Sequence, residues 1–249
     1  MGISIPPVRT PPLGIPQAAA ALRNLERRQE IVANNLANVS TTGFKGEQSF
    51  ARILDAQGVA VVDAQTDRRQ GALQRTEAPL DLALASSGFF VVATPDGEQL
   101  SRGGSFRRDV SGYLVDATGA PVLGEYDPRG GTPGPIEIPA NARTIRIEAD
   151  GAVVADNAQI GRLRVEDVAA GTRLEHVGNG RFLAPTTRTP MDGAQRAVQQ
   201  GALEDSNVTA VTSLVSMIEI QRAYSSAQRA LTTIDAARGI VVSDLARPN

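Results

Sequence analysis

The stretch IVANNLANVSTTGFKGEQSF, Ile31 to Phe50, decides how the chain is read. It begins as a helix and ends as something else. Asn34, Asn35 and Asn38 crowd the end of the helical pattern. Asparagine is a poor helix former, because its amide competes for backbone hydrogen bonds. Asn34 and Asn38 are four apart and share one helix face. Asn35 lies on the flank of that face, near Val32 and Leu36. Each amide donates and accepts at once. At a contact between like subunits, such groups fix register where apolar side chains alone would slide. Ser40, Thr41 and Thr42 can bond backbone groups as the helix ends. Gly43 permits the turn, and Phe44 is expected to pin the exit.

Upstream, apolar or small residues recur at Ile15, Ala18, Leu22, Leu25, Val32, Leu36 and Val39, with Gln29 the polar member of the series. Steps of three and four residues make a heptad stripe, the pattern of a helix packed on another helix. Pro16 sits where a first helical residue would be. Before it, Pro6, Pro7, Pro11 and Pro12 make residues 1–14 an extended leader. That leader has no basic start, apolar core or A-x-A site, so it does not read as a Sec signal peptide. Pro6 stands where a myristoylation motif needs Ser or Thr.

At the other end, Met217, Ile220, Tyr224, Ala227, Leu231, Ile234, Val241 and Leu245 form a second stripe, with Arg238 its charged member. A second apolar line runs through Val211, Leu214, Val215 and Ile218. A helix from about Thr209 to Ala246 would span roughly 55 Å. Between the helices lie short apolar or alternating runs: LDLALASSGFFVV, GYLVDATGAPVL, IRIEADGAVVAD, GRLRVEDV and RFLAP. PDG, ADG and GNG part them as tight turns. The expected fold class is α+β: long N- and C-terminal helices paired as a coiled-coil-like stalk, with an inserted antiparallel β domain. The expected divisions are a leader, 1–14; an N-terminal stalk helix, 15–45; an extended connector, 46–79; a β domain, 80–198; and a C-terminal stalk helix, 199–249.

Composition narrows the chemistry. The 249 residues carry a formal net charge of -2, with no basic stripe of the kind nucleic-acid binding needs. There is no cysteine and one histidine, His176, so no Cys- or His-based metal site can be built. No P-loop, G-x-S-x-G elbow or dinucleotide fingerprint is present. GGSFRRDVSG has glycines but not that spacing. Glu125 with Asp127, or Glu148 with Asp150, are the pairs from which a two-carboxylate site could be drawn. All stand beside turns, where carboxylates are ordinarily solvated. Glu204 and Asp205 precede the last helix and read as charges favouring its N-terminus. No catalytic residue, cofactor, metal or small-molecule substrate is expected.

NNLANVSTTGFK, Asn34 to Lys45, resembles the signature of the flagellar axial proteins: rod, hook and hook-filament junction. SLVSMIEIQRAYSSAQRALTTID, Ser213 to Asp235, resembles the same family's closing helix. PLDLALASSGFFVV, LSRGGSFRRDVSGYLVDATGAPVLG and GALEDSNV are similar to segments shared by the rod proteins that carry a β lobe. Residues 46–87 are short for the distal form, and TDRRQGALQRTEAPLDLAL is closer to the proximal form. The resemblance implies a structural, non-enzymatic subunit of the flagellar basal-body rod. It implies a tube on a helical lattice, with the terminal helices as inner wall and the β domain outside. The ends would be disordered before assembly. It also implies exit through the flagellum-specific type III exporter without a cleaved signal, and a periplasmic place in the basal body. The implied partners are copies of itself, other proximal and distal rod proteins, the rod cap and the export apparatus. The interface residues it points to are Leu22, Leu25, Val32, Asn34, Asn35, Leu36, Asn38, Val39, Gly43 and Phe44, with Met217, Ile220, Tyr224, Ala227, Leu231 and Ile234. The readings from other classes are a cell-wall hydrolase and a secreted coiled-coil adhesin.

Overall fold

The computed structural model describes residues 15–53, 60–125 and 133–245. The leader 1–14 and Asp127 lie outside the described residues. Helix α1 spans Ile15–Ala37, shorter than the 15–45 expected. Its end comes where Asn38 and Thr41 begin to close turns on themselves: Asn38 N–H reaches Asn35 O at 3.2 Å, and Thr41 N–H reaches Asn38 O at 3.0 Å. The connector holds β1 (Glu47–Ile53), β2 (Ala60–Thr66) and β3 (Leu73–Arg75). Then come β4 (Leu82–Leu84), β5 (Phe89–Thr94), β6 (Gly97–Ser101), β7 (Arg107–Arg108) and β8 (Leu114–Val115). They are followed by β9 (Ile145–Ile147), β10 (Ala152–Ala155), β11 (Ala158–Arg162) and β12 (Val165–Val168). β13 (His176–Gly178), β14 (Arg181–Leu183) and β15 (Arg188–Pro190) lead to a one-turn helix α2 (Gly193–Arg196). β16 (Val198–Gln200) and β17 (Ala202–Glu204) precede α3, which spans Ala210–Leu245. Residues 199–200 and 202–204, read from sequence as part of the last helix's segment, are therefore in strands, with a turn at Gly201 between them.

A six-stranded sheet in the order β13-β14-β6-β5-β12-β15 is the centre of the β region, and every neighbouring pair in it is antiparallel. A three-stranded sheet runs β11-β10-β9, and two-stranded sheets join β1-β2, β16-β4, β17-β3 and β7-β8. The run FFVV in β5 explains how the core is divided. Successive side chains of a strand point to opposite faces. Phe90 and Val92 join one apolar cluster, with Leu82, Leu114, Leu163 and Val165. Phe89 and Val91 join the other, with Leu100, Val168, Leu174 and Phe182. A continuous apolar run is what a strand covered on both faces requires. The rings settle edge to face: Phe89 on Phe182 at 5.6 Å, Phe90 on Phe106 at 5.1 Å.

Two compact units make up the chain. One comprises Met1–Asn34, Ser49–Ala64 and Val211–Asn249; the other comprises Asn35–Gln48 and Gln65–Ala210. In the first, the Tyr224 hydroxyl donates to Glu26 Oε1 at 3.1 Å. Asn24 Oδ1 accepts the Val62 N–H of β2 at 3.2 Å. Ile31, 3 % exposed, stands two turns from Asn24 on the same helix face. The heptad stripe of α1 lies elsewhere: Leu22, Leu25, Val32 and Leu36 are half-buried, and Gln29 is exposed. Among the described side chains of α1, the deepest thus falls off the stripe, on the face bonded to β2. No described helix is long and apolar enough to cross a membrane.

Phe90 is fully buried, whereas Val110 is fully exposed at the β7–β8 turn. Phe90→Ala should cost about 3–5 kcal/mol of stability. Val110→Ala should stay within about 0.5 kcal/mol. Urea unfolding of the two variants checks both.

Candidate functional site

The Ile31–Phe50 stretch ends on a buried charge cluster. Lys45 follows the Gly43 turn and its side chain runs inward, 2 % exposed. Its Nζ donates to Glu204 Oε1 at 2.5 Å and to Arg69 O at 2.7 Å. The other carboxylate oxygen of Glu204 accepts Arg102 Nε–H at 2.6 Å, and Oε1 also accepts Gly71 N–H at 2.9 Å. Arg102 spends its remaining N–H groups on three backbone carbonyls: Leu84 at 2.8 Å, Ser86 at 2.5 Å, and Gly88. The Glu204 carbonyl in turn accepts Gly43 N–H at 2.6 Å. One carboxylate therefore gathers the signature turn, the approach to β3, the end of β6 and the last strand β17. Burial pushes the Lys45 ammonium below the usual lysine range; its hydrogen bond to Glu204 opposes that, and the charge of Arg102 adds to it. Burial likewise lowers Arg102, with Glu204 opposing. Glu204, read from sequence as a charge favouring a helix N-terminus, is instead 1 % exposed and six residues ahead of α3. Distance along the chain hid its true partners, 159 and 102 residues away.

Glycines let the backbones close on this cluster. Gly43 has φ +67, and a Cβ there would sit 2.3 Å from the Arg102 carbonyl carbon. A Cβ on Gly104 would sit 1.6 Å from Leu82 O. The GG of GGSFRRDVSG is thus a close backbone approach rather than a nucleotide loop.

The asparagines have distinct places. Asn35 donates through Nδ2 to Glu47 O at 2.7 Å and accepts Glu47 N–H on Oδ1 at 2.8 Å. Its amide closes the start of β1 onto the end of α1. Asn38 Oδ1 accepts the Thr41 hydroxyl at 3.2 Å. Asn34 is exposed. Asn24, which sequence reading passed over, holds β2 as Asn35 holds β1. Its spacing of eleven residues from Asn35 is the signal, since eleven residues return to the same face of an α-helix. Leu22, Leu25, Val32, Leu36 and Val39 are half-buried. On α3, Ile220 is 2 % exposed, and Met217, Tyr224, Ala227, Leu231 and Ile234 are half-buried. The second apolar line is open: Val211 is 72 % exposed, and Leu214, Val215 and Ile218 are about half exposed.

Phe44, 3 % exposed, packs on the single histidine at 5.4 Å between ring centroids. His176 also touches Phe182 at 4.4 Å. Its Nε2 is buried without a hydrogen bond, 3.9 Å from Glu47 Oε1. Burial lowers its pKa below the ordinary 6.5, with Glu47 partly opposing. Beside the signature turn is a cavity of about 320 Å³ lined by Thr41, Thr42, Ser101, Ser105, Asp116 and Asn179. Asp116 is its one carboxylate. Oδ1 is held by Thr118 N–H, the Thr118 hydroxyl and Ala120 N–H, all within 2.9 Å, and Oδ2 faces Arg181 at 3.4 Å. Glu125 is paired with the buried Arg196, and Asp150 with Arg162 at 3.1 Å. No cluster of metal-ligating side chains occurs among the described residues.

Three family models match the chain: the flagella basal body rod protein model over residues 17–45, the flagellar hook protein FlgE/F/G D1 domain over 83–155, and the flagellar basal body rod FlgEFG C-terminal model over 199–241. The flagellar basal-body rod protein FlgF of Escherichia coli is 34% identical over 241 residues, covering 88% of this chain and 92% of the relative. FlgF of Caulobacter vibrioides is 33% identical over 217 residues, covering 81% and 85%. FlgG of Buchnera aphidicola is 32% identical over 241 residues, covering 82% and 89%. The chain belongs to the flagellar basal-body rod protein family. It is a structural component of the rod, a place that implies assembly with other rod proteins.

Two outcomes check the site. Glu204→Ala leaves Lys45 and Arg102 as uncompensated buried cations and should cost about 3–5 kcal/mol, read by chemical denaturation of the purified chain. The second concerns acid. A folded-state histidine value below the unfolded one means that the unfolded chain takes up the proton first. Stability is then intact above pH 6.5 and falls as pH drops from 6.5 towards the folded value, by up to about 1.4 kcal/mol per pH unit. The difference in melting temperature between the parent and His176→Phe should widen over that window in the variant's favour.

Proposed function

We propose that the chain polymerises into the rod tube through its terminal helices, paired as a coiled-coil-like stalk, with the β region as an outer lobe. The observation that carries this reading is the face of α3 formed by Val211, Leu214, Val215 and Ile218, between 48 and 72 % exposed. The four recur at steps of three, one and three residues, a heptad edge that the chain itself leaves open. Copies of this chain and neighbouring rod proteins cover it in the assembled tube. Asn34 and Asn38 set register there. The interface so proposed adds the stripe Met217, Ile220, Tyr224, Ala227, Leu231 and Ile234 to the face already named. The protein is exported without a cleaved signal peptide, reaches the growing end through the export apparatus and rod cap, and performs no catalysis. Against a wall hydrolase stands the cavity beside Thr41, whose single carboxylate is bound by four donors and has no second carboxylate facing it.

The short segment 46–87 favours the proximal position, as FlgF occupies, over the distal one. The similar identity to relatives named FlgG keeps that second reading in view. Complementation separates them: this gene should restore motility to a strain lacking FlgF and fail in one lacking FlgG.

Leu214→Asp with Ile218→Asp tests the interface. Both side chains are about half exposed in the single chain, so its melting temperature should change little. In the tube the charges would be buried unpaired, at several kcal/mol per contact. The double variant should be exported yet fail to give rods in basal-body preparations. Normal rods would remove this face from the interface.

A further inference from the structure

We propose a head-to-tail contact between the β regions of neighbouring copies, in which the β7–β8 turn of one copy seats on the outer face of β13 and β14 of the next. It rests on the rod reading above. Among the described residues of the unit that holds the β region, four large apolar side chains are exposed: Val110, Tyr113, Val177 and Leu183. Exposed apolar residues scattered singly mean little. These come as two pairs, each beside a free charge, and the two charges differ in sign.

The first pair is on a tight turn. Asp109 N–H donates to Tyr113 O at 2.9 Å, and Asp109 Oδ1 accepts Tyr113 N–H at 2.7 Å, so the turn is closed at its neck. Val110 stands at the tip, fully exposed. Leu114 is buried, so Tyr113, next to it in the chain, faces outward. Arg107 and Arg108 of β7 are both exposed, and neither guanidinium has a partner among the described residues. Tyrosine and arginine are the side chains that most often anchor protein contacts. The carboxylates nearby are already committed: Asp109 to the turn, and Glu137, bridged to Tyr113, to a partner of its own.

The second pair is on a sheet edge. β13 is the outermost strand of the six-stranded sheet. His176 and Phe182 stand opposite each other in register, with their rings in contact on one face. Val177 and Leu183, the next residue in each strand, therefore point to the other face, and both are exposed. Leu183 N–H donates to Glu175 O at 2.9 Å, which sets Glu175 across from Leu183. The Glu175 carboxylate is exposed and has no partner among the described residues. Arg181, on the same face, is spent on Asp116, and Arg173 is engaged elsewhere.

Because Val110 is fully exposed, the turn does not cover the sheet edge within one chain. Like faces repel: two turns would bring four free guanidinium groups together, and two edges would bring two carboxylates. Unlike faces set Arg107 and Arg108 against Glu175 and the apolar pairs against each other. A contact between different faces of one molecule repeats from copy to copy into a ring or an open helix.

The chain has no cysteine, so an introduced pair reports alone. In Val110→Cys with Leu183→Cys, oxidation of isolated basal bodies should give covalent dimers and longer ladders of this chain, while either single variant stays monomeric. Both sites are exposed, so the melting temperature of the purified double variant should match the parent. Monomers alone, in rods shown by blotting to contain the double variant, overturn the contact. So do dimers from a single variant, which would mean that like faces meet. Charge reversal is the second measurement. Arg107→Glu with Arg108→Glu should lower the yield of rods, and adding Glu175→Arg should restore it. An unchanged yield overturns the proposal, and a loss that Glu175→Arg fails to restore puts the turn against a different rod protein and overturns it too. Basal bodies that lack even the parent chain would instead overturn the rod reading, and this contact with it.

Discussion

The buried Glu204 carboxylate is the constraint around which the β region is arranged. It has two oxygens and takes Lys45, Arg102 and the Gly71 N–H on them. Taking three charges out of water is expensive, and the cost is offset only by short, well-directed partners. Each partner therefore dictates a backbone path. Lys45 must leave the Gly43 turn pointing inward. Arg102 must pass close enough to Leu84, Ser86 and Gly88 to use their carbonyls. Gly43 and Gly104 are glycines because the backbones that bring these groups together leave no room for a Cβ. Such a cluster specifies one arrangement sharply, since any slip leaves a buried charge bare.

The same economy governs the helices. α1 has two different faces. One face holds Asn24 and Asn35, which bond to strands β2 and β1, and the buried Ile31. The heptad stripe is the other. On α3, the Met217–Ile234 stripe is partly covered, while Val211, Leu214, Val215 and Ile218 stand open. A protein stable alone would rarely leave four consecutive heptad positions in water. In the proposed assembly, neighbouring rod subunits supply that cover. The β region, by contrast, is closed on both sheet faces by its own residues.

Much of this was legible in the sequence because it rests on local rules. The period of α3, from about Thr209 to Ala246, follows from its stripes and matches Ala210–Leu245. The alternation in FFVV, and the turns at PDG, ADG and GNG, place strands because side chains alternate and only certain residues turn tightly. The Gly43 turn and a buried Phe44 follow from local chemistry too. The absence of cysteine and the single histidine bound the chemistry without any fold.

What tertiary structure alone decided is which distant groups meet. Glu204 looked like a helix-start charge because a sequence displays only its near neighbours. Its cations lie 159 and 102 residues away, and only the folded path brings them to 2.5 and 2.6 Å. The asparagines posed the question, and their number in a helix was visible. That Asn35 serves Glu47 within the chain, and that Asn24 belongs with it, depended on where β1 and β2 return. Periodicity determines which faces a helix offers. The element that arrives at each face is set by chain closure over long loops, and no local pattern encodes that.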